Sequence, residues 1–402
     1  MALTNQNTAL MKEITLKKGK EESILRHHPW VFSGAIAHLP SGLEEGDLTV
    51  VKGADGRVLG IGHYQIGSIA VRILEFNTDR LPDDFFHRRL DAAFRLRRTL
   101  GLIRPDNDCF RLVHGEGDFL PGLVIDIYGD TAVIQAHSPG MHFERRRIAD
   151  ALIAIPDARI RNVYYKSETT LPYKANLDPE NEYLVGGYDG NIATENGLQF
   201  NIDWLRGQKT GFFVDQRENR ALLEKFAKGR KVLNMFCYTG GFSVYAMRGG
   251  AESVVSVDSS AKAAALTDAN IELNFPGDPR HRTCAVDAFK FLNDMPDKEY
   301  DLIILDPPAF AKHRSALKNG LIGYRKLNTK AFEKIKSGGV LFTFSCSQVV
   351  TREAFRLAVF SAAAKSGRKV RILHQLTQPA DHPIDISHPE GEYLKGLVLY
   401  VE

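Results

Sequence analysis

Alternation of apolar strand-like runs with helical stretches, from about residue 193 onward, is the feature that most restricts the fold of this chain. Strands that alternate with helices pair in parallel and carry helices on both faces. We therefore predict an α/β domain with a doubly wound, mostly parallel, Rossmann-like sheet. Its candidate strands are residues 231–235, 253–258, 282–286, 301–305, 339–345, 370–376 and 394–400.

The first half of the chain has a different pattern. Short strand-like runs separated by glycine turns, at 48–52, 58–63 and 69–74, predict a small β barrel. From about residue 80 to 190, a helical stretch (83–100), a hairpin region (111–126) and further strand and helix signals predict a separate α/β module. The predicted division is 1–78, 79–190 and 191–402.

Composition sets loose bounds on function. The 402 residues are too many for one ordinary core, and their 44% apolar and 25% charged content is that of a soluble globular protein. No apolar run reaches membrane-spanning length, and the polar N-terminus, residues 1–11, is unlike a signal peptide. With a net charge of +3, an RNA partner would have to bind local basic patches. The four cysteines lack CxxC spacing, which argues against zinc and disulfides and fits a reducing cytoplasm.

Three successive strands of the predicted sheet end in residues suited to a nucleoside cofactor. The first runs through Asn234 into a turn with paired glycines, Gly240 and Gly241, where a ligand can approach the backbone. The second ends at Asp258, whose carboxylate can hold two ribose hydroxyls, and the third ends before Asp287. The turn is not GxGxxG and no phosphate-binding cluster follows, which favours S-adenosylmethionine over a dinucleotide.

The fourth strand ends in Asp306-Pro307-Pro308, followed two residues later by Phe310. Two prolines remove two backbone donors and fix φ, so they form a rigid turn with free carbonyls. Such a turn suits a flat ring that is hydrogen-bonded along its edge. Asp306 is a candidate general acid or orienting group, and Phe310 a candidate for stacking on a base.

The fifth strand ends in Ser345-Cys346-Ser347, where a cysteine can act as a nucleophile. Carbon C5 of a pyrimidine is too weak a nucleophile to attack a methyl sulfonium, but a thiolate added at C6 activates it. Exocyclic amines and ring nitrogens need no such help, so Cys346 favours a pyrimidine C5 methyltransferase. A buried structural cysteine is the alternative, and Cys237 is a rival thiol whose place in the cofactor turn favours packing.

Two further regions carry candidate ligand contacts. Ahead of the first strand of the sheet, Lys209 and the run from Phe213 through Asp215, Gln216 and Arg217 could line the cofactor crevice or hold a substrate phosphate. The N-terminal segment interleaves cations with aromatic side chains, which suits either a nucleic-acid face or a small core with a solvated edge. Its candidate RNA-binding residues are Lys17, Lys18, Arg26 and Trp30. For the arginine-rich helix at 83–100, a solvated surface is the favoured interpretation.

With these motifs assembled, the chain resembles the RlmI-like family of ribosomal RNA large-subunit methyltransferases over nearly its whole length. The resemblance rests on His28-Pro29-Trp30, on Gly115-Glu116-Gly117-Asp118, on the cofactor turn, and on the residues around Asp306 and Cys346. It implies an N-terminal PUA domain, a central domain and a class I S-adenosylmethionine-dependent catalytic domain. It also implies methylation of cytosine C5 in 23S rRNA with Cys346 as nucleophile, an RNA-binding role for the PUA-like domain, and a homodimer.

The sequence therefore predicts a cytoplasmic RNA methyltransferase with no metal and no membrane partner. Cys346 and Asp306 are its predicted catalytic residues, and Lys209, Pro307, Pro308 and Phe310 join the N-terminal group as substrate contacts. The predicted cofactor-binding residues are Phe213, Asp215, Gln216, Arg217, Asn234, Phe236, Tyr238, Thr239, Gly240, Asp258, Asn274, Asp287, Ala288 and Asp306. Two alternatives stay open: an RNA base N-methyltransferase for guanine or adenine, and a non-catalytic RNA-binding or ribosome-assembly protein.

Overall fold

The computed structural model describes residues 11–172 and 175–402. The chain forms two compact units. Unit 1 contains the described residues up to Asn191 together with Asp203–Gly211 and Asp381–Gly391, and unit 2 contains Ile192–Ile202, Phe212–Ala380 and Glu392–Glu402. Two short segments from the C-terminal half thus belong to unit 1. The division into three domains proposed from the sequence remains a prediction. The expectation about a signal peptide concerns residues 1–11, of which residues 1–10 lie outside the described part.

A seven-stranded sheet forms the centre of unit 2. Its strands are β14 (Lys231–Met235), β15 (Ser253–Asp258), β16 (His281–Ala285), β17 (Leu302–Leu305), β18 (Gly339–Ser345), β19 (Val370–Thr377) and β20 (Lys395–Val401). The spatial order is β16-β15-β14-β17-β18-β20-β19. The first five are parallel, whereas β20 is antiparallel to both β18 and β19. The predicted doubly wound, mostly parallel sheet is confirmed.

Helices cover both faces of this sheet because its strands are apolar on both sides. Leu233, Met235, Ile303 and Leu305 share one core with residues of α8, α9 and α10. Helices α5, α6 and α7 pack side by side as a second group. The helices of unit 2 are α5 (Arg217–Ala227), α6 (Gly241–Arg248), α7 (Ala261–Asn274), α8 (Ala288–Asp294), α9 (Leu317–Lys334) and α10 (Arg352–Ser366).

A hairpin precedes this domain in the chain. It consists of β12 (Ile192–Glu195) and β13 (Leu198–Asn201), joined antiparallel. Asn270 and Asn274 of α7 accept hydrogen bonds from the backbone N–H groups of Asn201 and Gln199 at 2.8 and 2.9 Å, respectively. These bonds satisfy the edge of β13 and attach the hairpin to the helix.

The N-terminal part of unit 1 is a six-stranded sheet in the order β2-β6-β5-β4-β1-β3. Its strands are β1 (Glu13–Leu16), β2 (Trp30–Phe32), β3 (Ile36–His38), β4 (Leu48–Lys52), β5 (Val58–Tyr64) and β6 (Ile69–Phe76), with the short helix α1 (Glu22–Leu25) between β1 and β2. The three strands predicted from the sequence are present, and β1, β2 and β3 were not predicted. Those three are short, so alternation within them spans too few residues to be seen.

The central part of unit 1 is a five-stranded sheet in the order β11-β10-β9-β8-β7. Its strands are β7 (Cys109–His114), β8 (Leu123–Tyr128), β9 (Thr131–Ala136), β10 (Asn162–Tyr165) and β11 (Glu182–Val185), and its helices are α2 (Phe85–Thr99), α3 (Pro139–Phe143) and α4 (Arg145–Ile153). The predicted hairpin at 111–126 corresponds to the antiparallel pair β7–β8. In the described part of the chain, no helix is both long and apolar enough to cross a bilayer.

Candidate active site

Most of the predicted site residues of unit 2 lie at or just after the ends of five adjacent strands of its sheet, in the order β16-β15-β14-β17-β18. In the parallel register, Met235 pairs with Leu305, and Leu305 pairs with Thr343. The turn after Met235, the carboxylate of Asp306 and the thiol of Cys346 therefore emerge from neighbouring strands at one edge of the sheet. Neighbouring strands lie about 5 Å apart, so one small ligand can contact several of these strand ends.

The turn between β14 and α6 is held in an unusual backbone conformation. Phe236, Tyr238 and Gly240 have positive φ values of 60°, 48° and 76°. A Cβ added at Gly240 would lie 2.5 Å from Cγ2 of Thr267, so glycine is required there for space as well as for φ. The Thr267 hydroxyl donates to the carbonyl of Tyr238 at 3.0 Å, and the Asn270 amide donates to that of Thr239 at 2.9 Å. Helix α7 thereby holds this turn.

The carboxylate of Asp258 also organises the turn. One oxygen accepts from the backbone N–H of Tyr238 at 3.0 Å, and the other accepts from that of Ser260 at 2.9 Å. The half-buried side chain keeps further lone pairs on both oxygens. Asp287, by contrast, is exposed and caps α8, accepting from the N–H of Lys290 at 2.9 Å, and the following Ala288 is buried.

Asn234 and Asn274, both predicted to bind the cofactor, have different surroundings. The amide nitrogen of Asn234 donates to Ser243 Oγ at 2.9 Å, while its Oδ1 is buried and has no hydrogen-bond partner in the described structure. Asn274 instead makes its hydrogen bonds with the β13 backbone at Gln199 and with Asn270. Asn274 therefore holds the hairpin, whereas Asn234 retains an unsatisfied acceptor beneath the turn.

The carboxyl of Asp306 lies in a polar cluster built by the segment before α5. Gln216 donates to Asp306 Oδ2 at 3.1 Å, and Asn219 donates to the Gln216 carbonyl at 2.6 Å, which orients that amide. Burial, followed by the negative charge of Asp215, raises the pKa of Asp306 to about 7, although the Gln216 hydrogen bond opposes the rise. Asp306 can therefore exchange a proton near neutral pH.

Asp215 itself is held by Tyr393, whose hydroxyl donates to Asp215 Oδ2 at 2.6 Å. Oδ1 of Asp215 is buried without a hydrogen-bond partner in the described part of the chain. The ring of Phe213 packs edge-on against that of Tyr238, with centroids 5.0 Å apart. The buried Arg217 directs its Nε to Glu218 at 3.2 Å.

The thiol of Cys346 follows the end of β18 and is half-buried. Its Sγ lies 4.0 Å from the carbonyl oxygen of Pro307. Burial, then the charges of Asp306 and Asp215, raises the pKa of Cys346 to about 12, while Lys395 has a lowering effect. The resting residue is thus a thiol. Cys237 likewise has a pKa of about 12, and it is buried against the hydroxyl of Thr267 at 3.6 Å.

Tyr324 and Lys395 adjoin Cys346, and neither was singled out from the sequence. The hydroxyl of Tyr324 lies 3.0 Å from the Oγ atoms of both Ser345 and Ser347. The ammonium of Lys395 donates to the carbonyls of Ser347 and Val350 at 2.7 and 2.6 Å. Burial lowers the pKa of Lys395 to about 8. The sequence signals for Lys395 were its place in the motif at residues 393–397, which is part of the family resemblance, and its charge at the start of the apolar strand β20, whereas Tyr324 had none.

The residues of the Asp-Pro-Pro turn, and Phe310 after it, differ in their exposure to solvent. Pro307 is buried, Pro308 is exposed, and the ring of Phe310 packs on that of Tyr324 with a centroid separation of 4.7 Å. The backbone N–H of Phe310 donates to the Tyr324 hydroxyl at 3.5 Å. One face of Phe310 is therefore occupied by α9, which leaves Pro308 as the more accessible member of the turn.

The predicted RNA-binding residues of unit 1 are mostly engaged within the protein. Lys17 donates to the Gly34 carbonyl at 2.9 Å, and Arg26 pairs with Glu22. The indole of Trp30 donates to Glu116 at 2.8 Å, and its ring packs against His388 at 4.3 Å. Lys18 and Lys209 are exposed.

His28, His388 and Glu390 form a group in unit 1 with metal-ligand potential. His28 Nδ1 accepts from the N–H of Trp30 at 3.2 Å, so a neutral His28 carries its proton on Nε2, the nitrogen that faces Glu390 at 3.5 Å. A protonated nitrogen cannot ligate a metal. This arrangement favours a hydrogen-bonded group, and the expectation of no metal stays a prediction.

Comparison with known proteins identifies the class of this site. A sequence profile for the S-adenosylmethionine-dependent methyltransferases matches residues 146–397, and one for PUA-like domains matches residues 14–76. Ribosomal RNA large subunit methyltransferase I from Tolumonas auensis is 39% identical over 96% of this chain and 98% of its own length. The protein of the same name from Aeromonas salmonicida is also 39% identical over the same shares. The chain belongs to the ribosomal RNA large subunit methyltransferase I family. It is an S-adenosylmethionine-dependent methyltransferase with an N-terminal PUA-like domain.

Solved structures share its fold. A candidate methyltransferase from Streptococcus mutans superposes with a TM-score of 0.82 at 23% identity, covering 97% of this chain and all of its own. A second solved chain, a candidate methyltransferase in complex with SAH, has a TM-score of 0.83 at 23% identity, with the same coverage. At this identity the likeness concerns the fold, which agrees with the sheet order of unit 2.

Proposed function

We propose that this member of the family methylates C5 of a cytosine in large-subunit (23S) ribosomal RNA through a covalent bond between Cys346 and C6. The observation that carries the proposal is that the thiol of Cys346 and the carboxyl of Asp306, both with raised pKa values, follow the ends of the adjacent strands β18 and β17. The named relatives act on large-subunit ribosomal RNA according to their names, and the PUA-like domain is in keeping with an RNA substrate. A cytoplasmic location and a homodimer form part of the same proposal.

The residues of the turn and its neighbours fit S-adenosylmethionine. Asp258, with free lone pairs beside the turn at Gly240, would accept from the ribose hydroxyls. Asp287 and the N–H of Ala288 would bind the edge of the adenine ring, which Phe236 would contact. The buried unsatisfied oxygens of Asn234 and Asp215 are acceptors available to the amino-acid part. When bound, S-adenosylmethionine supplies an electrophilic methyl group.

Asp306 would act as the general acid. A carboxyl with a pKa of about 7 is half protonated at neutral pH, so it can donate to N3 of the cytosine ring. Protonation at N3 withdraws electrons from C6 and makes that carbon open to attack. Until that transfer, the protonated Asp306 is neutral and does not contribute the negative charge that helps to hold the pKa of Cys346 high. Protonation of Asp306 thus favours both the thiolate of Cys346, which attacks, and C6 of the cytosine, which is attacked.

Cys346 would lose its thiol proton to water and form the S–C6 bond as a thiolate while Asp306 passes its proton to N3, and the electrons of the C5=C6 double bond would become available at C5 for the incoming methyl group. Loss of the C5 proton to a base restores the double bond and expels the thiolate, and N3 returns its proton to Asp306. Lys395 would stabilise the thiolate electrostatically, since its positive charge lowers the pKa of Cys346. The target base must leave any helical stack to reach the site, at a cost of a few kcal/mol.

The experiment is covalent trapping on RNA that contains 5-fluorocytosine, with S-adenosylmethionine present. Fluorine cannot leave C5 as a cation, so a C5 enzyme stalls after methyl transfer as a protein–RNA adduct stable to denaturing gels. The adduct should form with the wild type and with Cys237→Ala, and disappear with Cys346→Ala. Cys237→Ala is a matched control because that thiol has the same raised pKa but lies in the cofactor turn.

The alternative function is methylation of a base nitrogen in guanine or adenine, which an acidic residue before Pro-Pro and an aromatic also serve. Methyl incorporation into ordinary RNA without an adduct, and with Cys346→Ala retaining activity, would establish that alternative. The other alternative raised by the sequence, a non-catalytic RNA-binding or ribosome-assembly protein, is set aside because the chain belongs to a family of methyltransferases.

A further inference from the structure

The segment that follows Asp306 carries basic side chains and no acidic ones. Between Asp306 and Glu333 the sequence contains no aspartate or glutamate, but it includes six lysine and arginine residues. Five of these side chains are exposed: Lys312, Arg314, Lys318, Arg325 and Lys326. We refer to these five residues as the α9 basic surface.

None of these five cations forms an ion pair or a side-chain hydrogen bond with the described residues of the chain. Elsewhere, exposed arginines are typically paired. Helix α2 is the clearest contrast, since each of its five arginines has a carboxylate within 4 Å. Its surface is therefore close to neutral, as expected for a solvated helix, whereas the charges of the α9 basic surface remain uncompensated. An uncompensated array raises the local positive potential and attracts polyanions.

The contacts of the segment hold this surface beside the candidate active site. The backbone N–H of Ala311, the residue before Lys312, donates to Ser347 Oγ at 3.3 Å, next to Cys346. Gly320 of α9 packs closely on Ala311, because a Cβ at Gly320 would lie 2.8 Å from the Ala311 Cβ. The first turn of α9 and the preceding loop are thus fixed against the strand end that presents the thiol.

Helix geometry spaces the charges for an extended anion. Tyr324 and Leu327 of α9 are buried, so the opposite side faces solvent. Lys318 and Arg325 are seven residues apart, which places them on that side at about 10 Å along the axis. This is of the order of the span of two nucleotides, and a row of such cations suits successive phosphates better than a single small anion.

We propose that the α9 basic surface binds the phosphate backbone of the substrate RNA next to the target nucleotide. The inference rests on the proposed function and adds to it which face of unit 2 holds the RNA. It differs from the sequence-based assignment to Lys17, Arg26 and Trp30, whose side chains are used within unit 1.

The test compares two variants that each remove four positive charges and take the net charge from +3 to −1. The first is Lys312→Gln/Arg314→Gln/Lys318→Gln/Arg325→Gln. The matched control is Arg80→Gln/Arg88→Gln/Arg95→Gln/Arg98→Gln, whose arginines are exposed but paired with carboxylates. Thermal unfolding verifies that both fold. The probe is a set of transcribed fragments that together cover 23S rRNA, with Kd measured between 50 and 300 mM KCl.

The first variant should lose at least tenfold in affinity at low salt, and the magnitude of the slope of log K against log[KCl] should fall by about 3, since each of four lost phosphate contacts removes about 0.7 to 0.9. The matched control should stay within threefold of the wild type. At saturating RNA and low salt, kcat and the Kd for S-adenosylmethionine should be unchanged, with the loss confined to KM.

The proposal is overturned if the slope of log K against log[KCl] is unchanged in the first variant, or if the control variant loses as much RNA affinity. Either result leaves the proposed function intact, because the wild type would still methylate RNA. A wild type that neither binds nor methylates any fragment overturns the proposed function and this inference together. Loss of kcat rather than KM would instead assign these residues to the catalytic step and contradict the phosphate-binding role.

Discussion

The hydroxyl of Tyr324 lies 3.0 Å from the Oγ of Ser345, the residue before Cys346. The same hydroxyl lies 3.0 Å from Ser347 Oγ, the residue after it. The phenol of Tyr324, in the middle of α9, thus holds Ser345 and Ser347, the residues on either side of Cys346. Since Phe310 also packs on this ring, Tyr324 ties the Asp-Pro-Pro turn to the Ser-Cys-Ser segment.

Tyr324→Phe should therefore affect the position of Cys346 more than the stability of the fold. We expect kcat to fall by at least tenfold, the affinity for S-adenosylmethionine to be retained, and unfolding to become easier by about 1 to 2 kcal/mol through the lost hydrogen bonds. Steady-state methylation and urea unfolding measure these effects. Thr343→Val is the matched control, since that buried hydroxyl on β18 has no partner in the described structure. Equal activity in the two variants would contradict a positioning role for Tyr324.

Asp306→Asn should alter how stability depends on pH. The pKa of Asp306 is raised to about 7 in the folded chain, against about 4 when unfolded. Between these values the native state binds a proton that the unfolded state has lost, so wild-type stability decreases as pH rises through this window. The variant lacks this loss, and its stability relative to the wild type should grow from pH 4 to a plateau of about 4 kcal/mol above pH 7, because each of the three pKa units corresponds to about 1.4 kcal/mol.

Urea unfolding at pH 5 and pH 8 measures this difference. Asp287→Asn is the control, because Asp287 is exposed and asparagine caps a helix as well as aspartate does. A difference between wild type and Asp306→Asn that stays constant across the pH range would show that the carboxyl is ordinarily ionised.

The reactivity of the Cys346 thiol should depend on two charges of opposite sign. Asp306 contributes to its raised pKa, and Lys395 opposes that rise. At pH 8, where Asp306 is largely ionised, Asp306→Asn should speed alkylation of Cys346 by iodoacetamide about threefold or more, whereas Lys395→Met should slow it. Mass spectrometry of the peptide containing Cys346 gives the rates, and the Cys237 peptide in the same digest is the internal control. Identical rates in both variants would exclude electrostatic tuning by these groups.

Gly240→Ala should disrupt the cofactor turn by steric overlap with Thr267. A Cβ at Gly240 would lie 2.5 Å from Cγ2 of Thr267, whereas Gly229, with a similar φ of 68°, has open space around it. Gly229→Ala should therefore lower the free energy of unfolding by only about 1 kcal/mol, through the backbone conformation. Gly240→Ala should lower it by more and should reduce the affinity for S-adenosylmethionine at least tenfold. Thr267→Ser removes the clashing methyl group and should restore part of that affinity, as isothermal titration would show. No rescue would mean that the turn is distorted for another reason.

Much of unit 2 could be predicted from the sequence because its signals are local. An apolar run followed by glycines, an aspartate or a proline pair marks the end of a strand, and every predicted strand of the sheet lies within a few residues of the observed bounds. The sheet class follows from the alternation with helices. Placing Asp258, Asp306 and Cys346 at one edge needs only the rule that parallel strands share an end, so the candidate site was also predictable in outline.

The tertiary structure decided what surrounds each of these groups. Tyr324 and Lys395 reach the Ser-Cys-Ser segment from α9 and from β20, an antiparallel strand near the C-terminus, and no sequence spacing encodes that approach. Whether an arginine is neutralised depends on which carboxylate the fold brings within about 4 Å. Two arginines of α2 pair with carboxylates four residues earlier in the chain, which the sequence shows, but the other three pair with Glu75, Asp118 and Asp157, which only folding brings near. The sequence by itself determined which residues are candidates for the chemistry, since chain order along a parallel sheet dictates where they emerge. Only packing in three dimensions decided their protonation, their partners and which cations remain for a polyanion, because burial and electrostatic interactions depend on distances through space.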